Sequence, residues 1–239
     1  TDDQARDLMT GHPATAQGMR DAVVMCLLLD HGLRVGELVL LQVPDFDMKA
    51  GTFAFYRPKV DQVQTHKMTP RTKHAIATWL ASGNAPTFPD DAGRVPLLRG
   101  SRKGGTLTAD GATERGVSKR VQLLGKRVGV EGLSPHDCRH YWATYRGKRC
   151  AKGKATLFQL QEAGGWASLI MPRRYVEAAK IANEGMLPDD DESPEYHDAG
   201  GDGNGTGSKG DDDGDNPPPS GFDPFQPVVY AGHLAGNVV

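Results

Sequence analysis

The alternation of apolar and polar residues along the chain predicts a mainly helical protein. Residues 20–32, RDAVVMCLLLDHG, are apolar nearly all round, which is typical of a central buried helix. Gly32 is placed to end this helix in the left-handed conformation. A second helix is predicted in residues 33–43, LRVGELVLLQV, stopping before Pro44. Helical spacing of apolar residues returns in residues 70–82, PRTKHAIATWLAS.

Strand-like segments lie between these helices. Residues 51–59, GTFAFYRPK, and residues 63–70, VQTHKMTP, are rich in aromatic, β-branched or alternating residues, and a short polar stretch separates them. This pattern predicts a small antiparallel hairpin. Residues 83–105 are rich in Gly and Pro and are expected to form a loop, and residues 113–130 and 156–166 are predicted as further helices. The expected fold class is α+β, mostly helical with one minor antiparallel sheet.

The composition divides the chain near residue 187. Residues 188–239 hold many Asp, Gly and Pro residues and few aliphatic ones, so they are predicted to form a disordered acidic tail that follows a folded domain of residues 1–187. The predicted domain has 27 Lys and Arg residues against 18 Asp and Glu residues, a net charge of +9, whereas the tail has a net charge of −11. The basic domain favours a polyanionic partner such as nucleic acid.

The remaining composition disfavours a disulfide-stabilised protein and a membrane protein. Three scattered cysteines, Cys26, Cys138 and Cys150, do not form a disulfide framework, which fits a reducing cytoplasm. No apolar run is long enough to span a membrane, so we expect no membrane partner. The sequence begins with Thr1 rather than Met, and we therefore expect it to be part of a longer protein.

Ionisable residues are concentrated in residues 133–140, LSPHDCRH. Ser134 is a good N-cap, Pro135 suits the first helical position and Asp137 falls at the third, so a helix is predicted to begin here. His136 and Arg139 are three residues apart and share one face of the first turn. Free backbone N–H groups, an Arg fork and a His that can transfer a proton together suit a phosphate group.

The same stretch also contains the spacing H-x-C-x-H, which could be mistaken for a metal site. Positions 136, 138 and 140 of a helix point in divergent directions, and no second cluster completes a tetrahedral set. We therefore expect no metal at this position.

Three segments together resemble the tyrosine recombinases, the integrase family of phages, plasmids and chromosome-resolution systems. They are GLRVGEL, SPHDCRHYWAT and LQEAGGWASLIMPRRYVEA, and the resemblance covers roughly residues 5–187. The resemblance implies the fold of that family's catalytic domain and a catalytic set of six residues. These are Arg34, Lys59, His136, Arg139, Trp166 and Tyr175.

The resemblance also implies chemical roles for these residues. Tyr175 would attack a DNA phosphodiester and form a 3′-phosphotyrosine, while Arg34 and Arg139 clamp the phosphate. Lys59 would protonate the departing 5′ oxygen, and His136 would assist proton transfer with the nucleophile. Neither a nucleotide nor a metal cofactor is then needed.

The sequence departs from the family pattern in two places. Trp166 stands where most relatives have His, but an indole N–H can still donate a hydrogen bond or the ring can pack against the phosphate site. Lys59 lacks the glycine that often follows, so Lys67 on the next strand stays an alternative for the general acid. Glu37 could orient the Arg34 guanidinium through an i, i+3 pair, or the two could form only a surface ion pair.

The resemblance implies a site-specific recombinase that acts on double-stranded DNA as a synaptic tetramer, in the cytoplasm of a prokaryotic cell or in the service of its virus or plasmid. The family's N-terminal DNA-clamping domain would have to be supplied upstream of Thr1. Two alternatives stay open at this point. One is a type IB-like topoisomerase or telomere-resolving relative that uses the same residues, and the other is a DNA-binding regulator that does not cleave.

Overall fold

The computed structural model describes residues 1–87, 89, 93–102 and 104–180. Within these residues the chain forms eight α-helices and five β-strands, which confirms the mostly helical α+β class. The helices are α1 (Asp2–Thr10), α2 (Ala16–His31), α3 (Val35–Leu40), α4 (Pro70–Ala81), α5 (Glu114–Arg127), α6 (Pro135–Ala151), α7 (Leu157–Gly164) and α8 (Ile170–Glu177). The predicted acidic tail, residues 188–239, lies outside the described residues.

The strands form two small antiparallel sheets. The predicted hairpin is confirmed as β2 and β3, with Phe53 opposite His66, and a two-residue strand β1 pairs with β2. The prediction of a single sheet is wrong, because β4 and β5 pair in a second sheet, and β4 lies in the segment expected to be a loop. The strands are β1 (Phe46–Asp47), β2 (Thr52–Arg57), β3 (Gln62–Lys67), β4 (Arg99–Ser101) and β5 (Leu107–Gly111).

Helix α2 is the buried centre of the described residues, as its continuous apolar sequence predicts. The Thr15 hydroxyl accepts a hydrogen bond from the Gly18 N–H at its start, and Gly32 ends it with φ of 63°, a left-handed conformation that favours glycine. Residues Val23 to Leu28 are at most 2% exposed. Helices α1, α4 and α6 pack against α2, so the start of α3, three residues after Gly32, is held at the end of the core.

Helix α6 begins where the sequence predicts. Pro135 is its first residue, the Ser134 side chain accepts from the Asp137 N–H, and the Asp137 side chain reaches back to the Ser134 N–H in a capping box. Hydrogen bonding to Ser134 lowers the pKa of the Asp137 carboxyl. The start of α6 is therefore fixed locally by the sequence 134–137.

Helices α6, α7 and α8 form a second, smaller apolar cluster. Trp142 and Leu160 are buried in it, and Trp166, Tyr175 and Val176 pack against them half-buried. The segment 166–176 is thus attached to the rest of the protein mainly through α6 and α7. Within the described residues no helix is both long and apolar enough to cross a lipid bilayer.

Candidate active site

All six residues predicted from the sequence line a single cavity of about 550 Å³. The cavity lies between the start of α3, the turn of the β2–β3 hairpin, the first turns of α6, the residue two places after α7, and α8. Its predicted residues are Arg34, Lys59, His136, Arg139, Trp166 and Tyr175. Segments more than a hundred residues apart in the sequence therefore meet at one place.

The Arg34 and Glu37 side chains form a partly buried pair rather than a surface ion pair. Arg34 is the N-cap of α3, its Nη1 lies 2.8 Å from Glu37 Oε1, and its backbone N–H donates to Glu37 Oε2, also at 2.8 Å. The Glu37 side chain is only 2% exposed, while that of Arg34 is 24% exposed. Glu37 thus holds the guanidinium of Arg34 in a fixed orientation at the edge of the cavity.

A second arginine, Arg57, reaches the same carboxylate from the hairpin and was not predicted as a site residue. It is completely buried, and its Nη1 donates to Glu37 Oε1 at 3.1 Å and to the Gly164 carbonyl at 3.2 Å. Its Nη2 donates to the Ala163 carbonyl at 2.7 Å, and its Nε donates to Gln64. Arg57 therefore connects β2, α3 and the C-terminal end of α7, where the last helical carbonyls lack intrahelical partners.

Arg139 is held by two backbone carbonyls from different helix ends. Its guanidinium donates to the oxygen of Gly32 at the end of α2 and to the oxygen of Gly164 at the end of α7. Burial, and then the charges of Arg34 and Arg57, lower the pKa of Arg139 to about 10, so it still carries its charge at neutral pH. Two of the five guanidinium N–H groups are bound in this way, which leaves donors for a ligand.

The cluster carries an excess of positive charge. Three guanidinium groups, those of Arg34, Arg57 and Arg139, lie near the buried carboxylate of Glu37, and the exposed Glu114 is a second carboxylate in the cavity lining. Lys59 adds a further cation at the rim, since it lies in the turn after β2 and lines the same cavity. Like charges that are partly removed from water repel one another, so an anion in the cavity would lower the energy of the whole cluster.

Trp166 lies against Arg139. It follows Gly165, which ends α7 with φ of 58°, and its ring centroid is 4.9 Å from Arg139 Cζ. The ring also stacks on Trp142, with 5.9 Å between ring centroids. This arrangement places an aromatic face on the guanidinium in a cation–π contact and closes the cavity on that side.

Tyr175 is connected to two histidines of α6. Its hydroxyl lies 2.6 Å from His140 Nδ1, and His140 Nε2 lies 2.8 Å from His136 Nε2. The path from Tyr175 to the predicted His136 therefore runs through His140, a residue that was not predicted as part of the site. Burial raises the pKa of the Tyr175 phenol, while the Arg139 charge acts in the opposite direction.

The position of Tyr175 depends on close contact between α6 and α8 at Gly147. A Cβ atom at residue 147 would lie 2.7 Å from the Tyr175 carbonyl oxygen and 2.9 Å from its carbonyl carbon. Real side chains do not approach backbone atoms so closely, so a methyl group there has to push the two helices apart.

We expect Gly147→Ala to lower the free energy of unfolding by about 1–3 kcal/mol, because the added methyl group overpacks the α6–α8 contact. Urea denaturation followed by circular dichroism measures this. Gly116→Ala in α5 is the matched control, since its added methyl group meets only the Thr113 hydroxyl at 3.1 Å and should change stability by less than about 1 kcal/mol. Equal stabilities of the two variants would contradict the packing assigned to Gly147.

The two candidate lysines lie in different places. Lys59 lines the cavity with Tyr175 and both cavity arginines, whereas Lys67 lies at the end of β3 and lines a separate cavity with His31 and Arg146. Of the two, only Lys59 therefore shares a cavity with the proposed nucleophile.

The H-x-C-x-H residues do not form a cluster, because Cys138 is buried in the core while His136 and His140 are exposed. Within the described ranges no group of three His, Cys, Asp or Glu side chains is arranged to hold a metal ion.

Two site residues that were not predicted, Arg57 and His140, could have been recognised from the sequence. Arg57 occupies the buried face of β2, two and four residues after Phe55 and Phe53. A charged residue on the apolar face of a strand needs a buried partner, and this partner is Glu37. His140 lies four residues after His136, one helical turn further along the same face of α6.

Comparison with known proteins shows one consistent family. The sequence profile of the phage integrase family matches residues 1–181. The chain is 30% identical over 166 residues to the tyrosine recombinase XerC of Bifidobacterium longum strain DJO10A, a match that covers 69% of this chain and 45% of the relative. It is 29% identical over 175 residues to XerC of Chromohalobacter salexigens, covering 73% of this chain and 53% of the relative. The chain thus spans about half the length of these curated relatives.

Solved structures show the same fold. The crystal structure of XerA recombinase has a TM-score of 0.57 and 21% identity, with 73% of this chain and 58% of that chain covered. The XerH site-specific recombinase, solved in a post-cleavage complex with its palindromic difH substrate, has a TM-score of 0.56 and 20% identity. That match covers 74% of this chain and 48% of the XerH chain.

Proposed function

The chain belongs to the phage integrase family, the tyrosine recombinases, and on this premise we propose that it is a site-specific DNA recombinase that cleaves and rejoins DNA through a 3′-phosphotyrosyl intermediate. The observation that carries the proposal is the convergence of all six predicted residues on one cavity with an excess of positive charge. A phosphodiester is an anion of the size and charge that such a cavity accommodates.

The proposed reaction is a transesterification at one phosphorus atom. The Tyr175 Oη forms a bond to phosphorus as the bond from phosphorus to the 5′ oxygen breaks. The phenolic proton passes to a histidine of α6, and Lys59 gives a proton to the departing 5′ oxygen, so that protons balance. Because the new phosphotyrosine keeps the energy of the ester bond, a 5′-hydroxyl of another strand can attack it and reverse the step.

The arginines hold the non-bridging oxygens during this exchange. Arg34 and Arg139 present N–H donors to the cavity, and their fixed hydrogen bonds to Glu37, Gly32 and Gly164 keep these donors oriented before the substrate arrives. Donors that are already oriented stabilise developing charge without a reorganisation cost at the moment of reaction. Trp166 shields this part of the cavity from water and keeps its N–H as a potential donor to the phosphate.

The proposed partners are double-stranded DNA and further copies of the same chain in a tetrameric synapse, in the cytoplasm of a prokaryotic cell. Residues 1–187 are proposed as the catalytic domain. The net charge of +9 in these residues supports an interaction with DNA. Because the chain spans about half of its curated relatives, strand exchange by the complete protein belongs to this proposal.

The test uses fluorescent suicide duplexes tiled across the DNA that flanks the coding sequence. Each duplex carries a nick next to the candidate cleavage position, so that a short fragment diffuses away after cleavage and the covalent product accumulates. The expected result is a protein–DNA adduct that survives denaturing electrophoresis. DNA binding without any adduct would favour the non-cleaving regulator, and relaxation of a supercoiled plasmid without joining of two sites would favour the topoisomerase.

We expect Lys59→Ala to lose cleavage on ordinary DNA and to regain most of it on a duplex whose 5′ bridging oxygen is replaced by sulfur. A thiolate leaves without protonation, since a thiol is a much stronger acid than an alcohol. Single-turnover cleavage of the two duplexes measures the rescue. Lys67→Ala is the matched control and should cleave both duplexes at close to the rate of the unmodified chain; sulfur rescue of Lys67→Ala instead would move the general acid to β3.

A further inference from the structure

The phenol of Tyr175 ends a hydrogen-bonded row of three side chains. Tyr175 Oη and His140 Nδ1 are 2.6 Å apart, and His140 Nε2 and His136 Nε2 are 2.8 Å apart. The two imidazole rings lie edge to face, with 4.4 Å between their centroids and an interplanar angle of 89°. The nucleophile thus contacts the histidine that follows Arg139 in the sequence rather than the histidine of the H-x-x-R pair.

One assignment of protons satisfies every contact in this row with the phenol as donor. Tyr175 donates to an unprotonated Nδ1 of His140, and His140 carries its proton on Nε2 and donates it to His136 Nε2. His136 then carries its own proton on Nδ1. In this state His140 Nδ1 already accepts a hydrogen bond from the proton that has to leave when Tyr175 attacks.

We propose that His140 is the proton acceptor of the nucleophile Tyr175, and that His136 stabilises the imidazolium that His140 becomes. This inference deepens the proposed function and rests on it. As the bond from Tyr175 Oη to phosphorus forms, the O–H bond of the phenol breaks and its proton moves to His140 Nδ1. In the reverse step the same proton returns to Oη as the phosphotyrosine bond breaks.

The surroundings of Tyr175 favour such an acceptor. The Tyr175 side chain, on α8, is half-buried, and burial raises the pKa of its phenol, so little phenolate exists at neutral pH. His136 contacts the other nitrogen of His140 instead of the phenol, and its Nε2 can accept the hydrogen bond of a charged His140. A charged imidazole that donates to a neutral one is stabilised by a charge-assisted hydrogen bond.

The experiment measures single-turnover cleavage of a suicide duplex that the unmodified 239-residue chain cleaves. His140→Ala removes the acceptor, and His140→Gln keeps a group that can hydrogen-bond to the phenol without taking up its proton. We expect both variants to cleave about 10²-fold more slowly than the unmodified chain, the size of a general-base contribution. His74→Ala, on the exposed face of α4, is the matched control and should cleave at the unmodified rate.

A second measurement replaces Tyr175 with a ring-fluorinated tyrosine, whose phenol loses its proton more readily. We expect fluorination to raise the cleavage rate of His140→Ala at least about tenfold more than that of the unmodified chain, because a more acidic phenol depends less on an acceptor. A sulfur-containing 5′ leaving group, in contrast, should not rescue His140→Ala, since His140 acts on the nucleophile. Thermal unfolding and DNA binding of each variant are expected to match the unmodified chain, since His140 is exposed.

The outcomes separate this inference from the function on which it rests. If the unmodified chain forms no adduct with any tiled duplex, the proposed function fails and the role of His140 falls with it. If the unmodified chain cleaves and His140→Gln cleaves at the same rate, only the assignment of His140 as the proton acceptor is overturned. If fluorination changes the cleavage rate of His140→Ala and of the unmodified chain by the same factor, the assignment of His140 is overturned as well.

Discussion

Replacing Tyr175 with Phe should abolish covalent attachment to DNA, with adduct formation falling below detection, while DNA binding stays within about twofold of the unmodified chain. The substitution removes one oxygen atom, the proposed nucleophile, and leaves the cationic cluster of Arg34, Arg57 and Arg139 in place. The rest of the Tyr175 ring packs against Trp166, with 5.9 Å between ring centroids, and a Phe ring can keep this contact.

Two measurements on the same protein test this expectation. Denaturing electrophoresis after incubation with suicide duplexes detects the covalent product, and fluorescence anisotropy with the same duplexes gives the affinity. Tyr145→Phe is the matched control, because Tyr145 is exposed on α6 and does not line the cavity. A Tyr175→Phe protein that still forms an adduct would place the nucleophile at another residue.

Replacing Arg57 with Met should lower the free energy of unfolding by about 3–5 kcal/mol, the usual cost of leaving a buried ionic partner uncompensated. Arg57 is completely buried, and its removal leaves the Glu37 carboxylate with one guanidinium instead of two. The carbonyls of Ala163 and Gly164 lose their Arg57 donors as well. Because Gly164 also binds Arg139, we expect the cavity to lose its geometry together with its stability.

Urea denaturation measures this loss, and Arg6→Met is its matched control. Arg6 forms an ion pair with Asp3 at 3.1 Å, but the two side chains are 64% and 83% exposed, so this substitution should cost at most about 1 kcal/mol. Arg57→Met combined with Glu37→Gln should cost less than the sum of the two single changes, since both act on one interaction. A loss for Arg57→Met no larger than that for Arg6→Met would contradict the central position assigned to this arginine.

Most helices and the β2–β3 hairpin were predictable because their signals are local. The apolar run of α2, the N-cap Ser134 with Pro135 in α6, and the alternation in β2 each describe contacts within a few residues. The sheet of β4 and β5 was missed because β4 is the three-residue segment RGS in a stretch rich in Gly and Pro. Such a strand exists only because β5 pairs with it, and a pattern within three residues cannot report that pairing.

The candidate site was likewise predictable from the sequence only in part. The resemblance identified six residues by motif and order, and the structure brings all six to one cavity. The resemblance did not identify Arg57 or His140, because the importance of each depends on its contact with a distant residue. Arg57 binds Glu37 and the end of α7, 106 residues away at Ala163, and His140 contacts Tyr175, 35 residues away.

The sequence by itself determined that the segments of α2 to α7 form helices, where α2 ends and where α6 begins, and which residue types are available for phosphate chemistry. These features depend on propensity, capping and periodicity, which act over one or two turns. Only the tertiary structure decided that Glu37 is buried between two arginines, that Arg139 spans the ends of α2 and α7, and that Tyr175 meets His140. Those contacts form only when the helices pack, because each joins partners that are distant in the chain. The contacts of Glu37 and Arg139 gain further strength from burial, since charged groups interact more strongly where water is excluded.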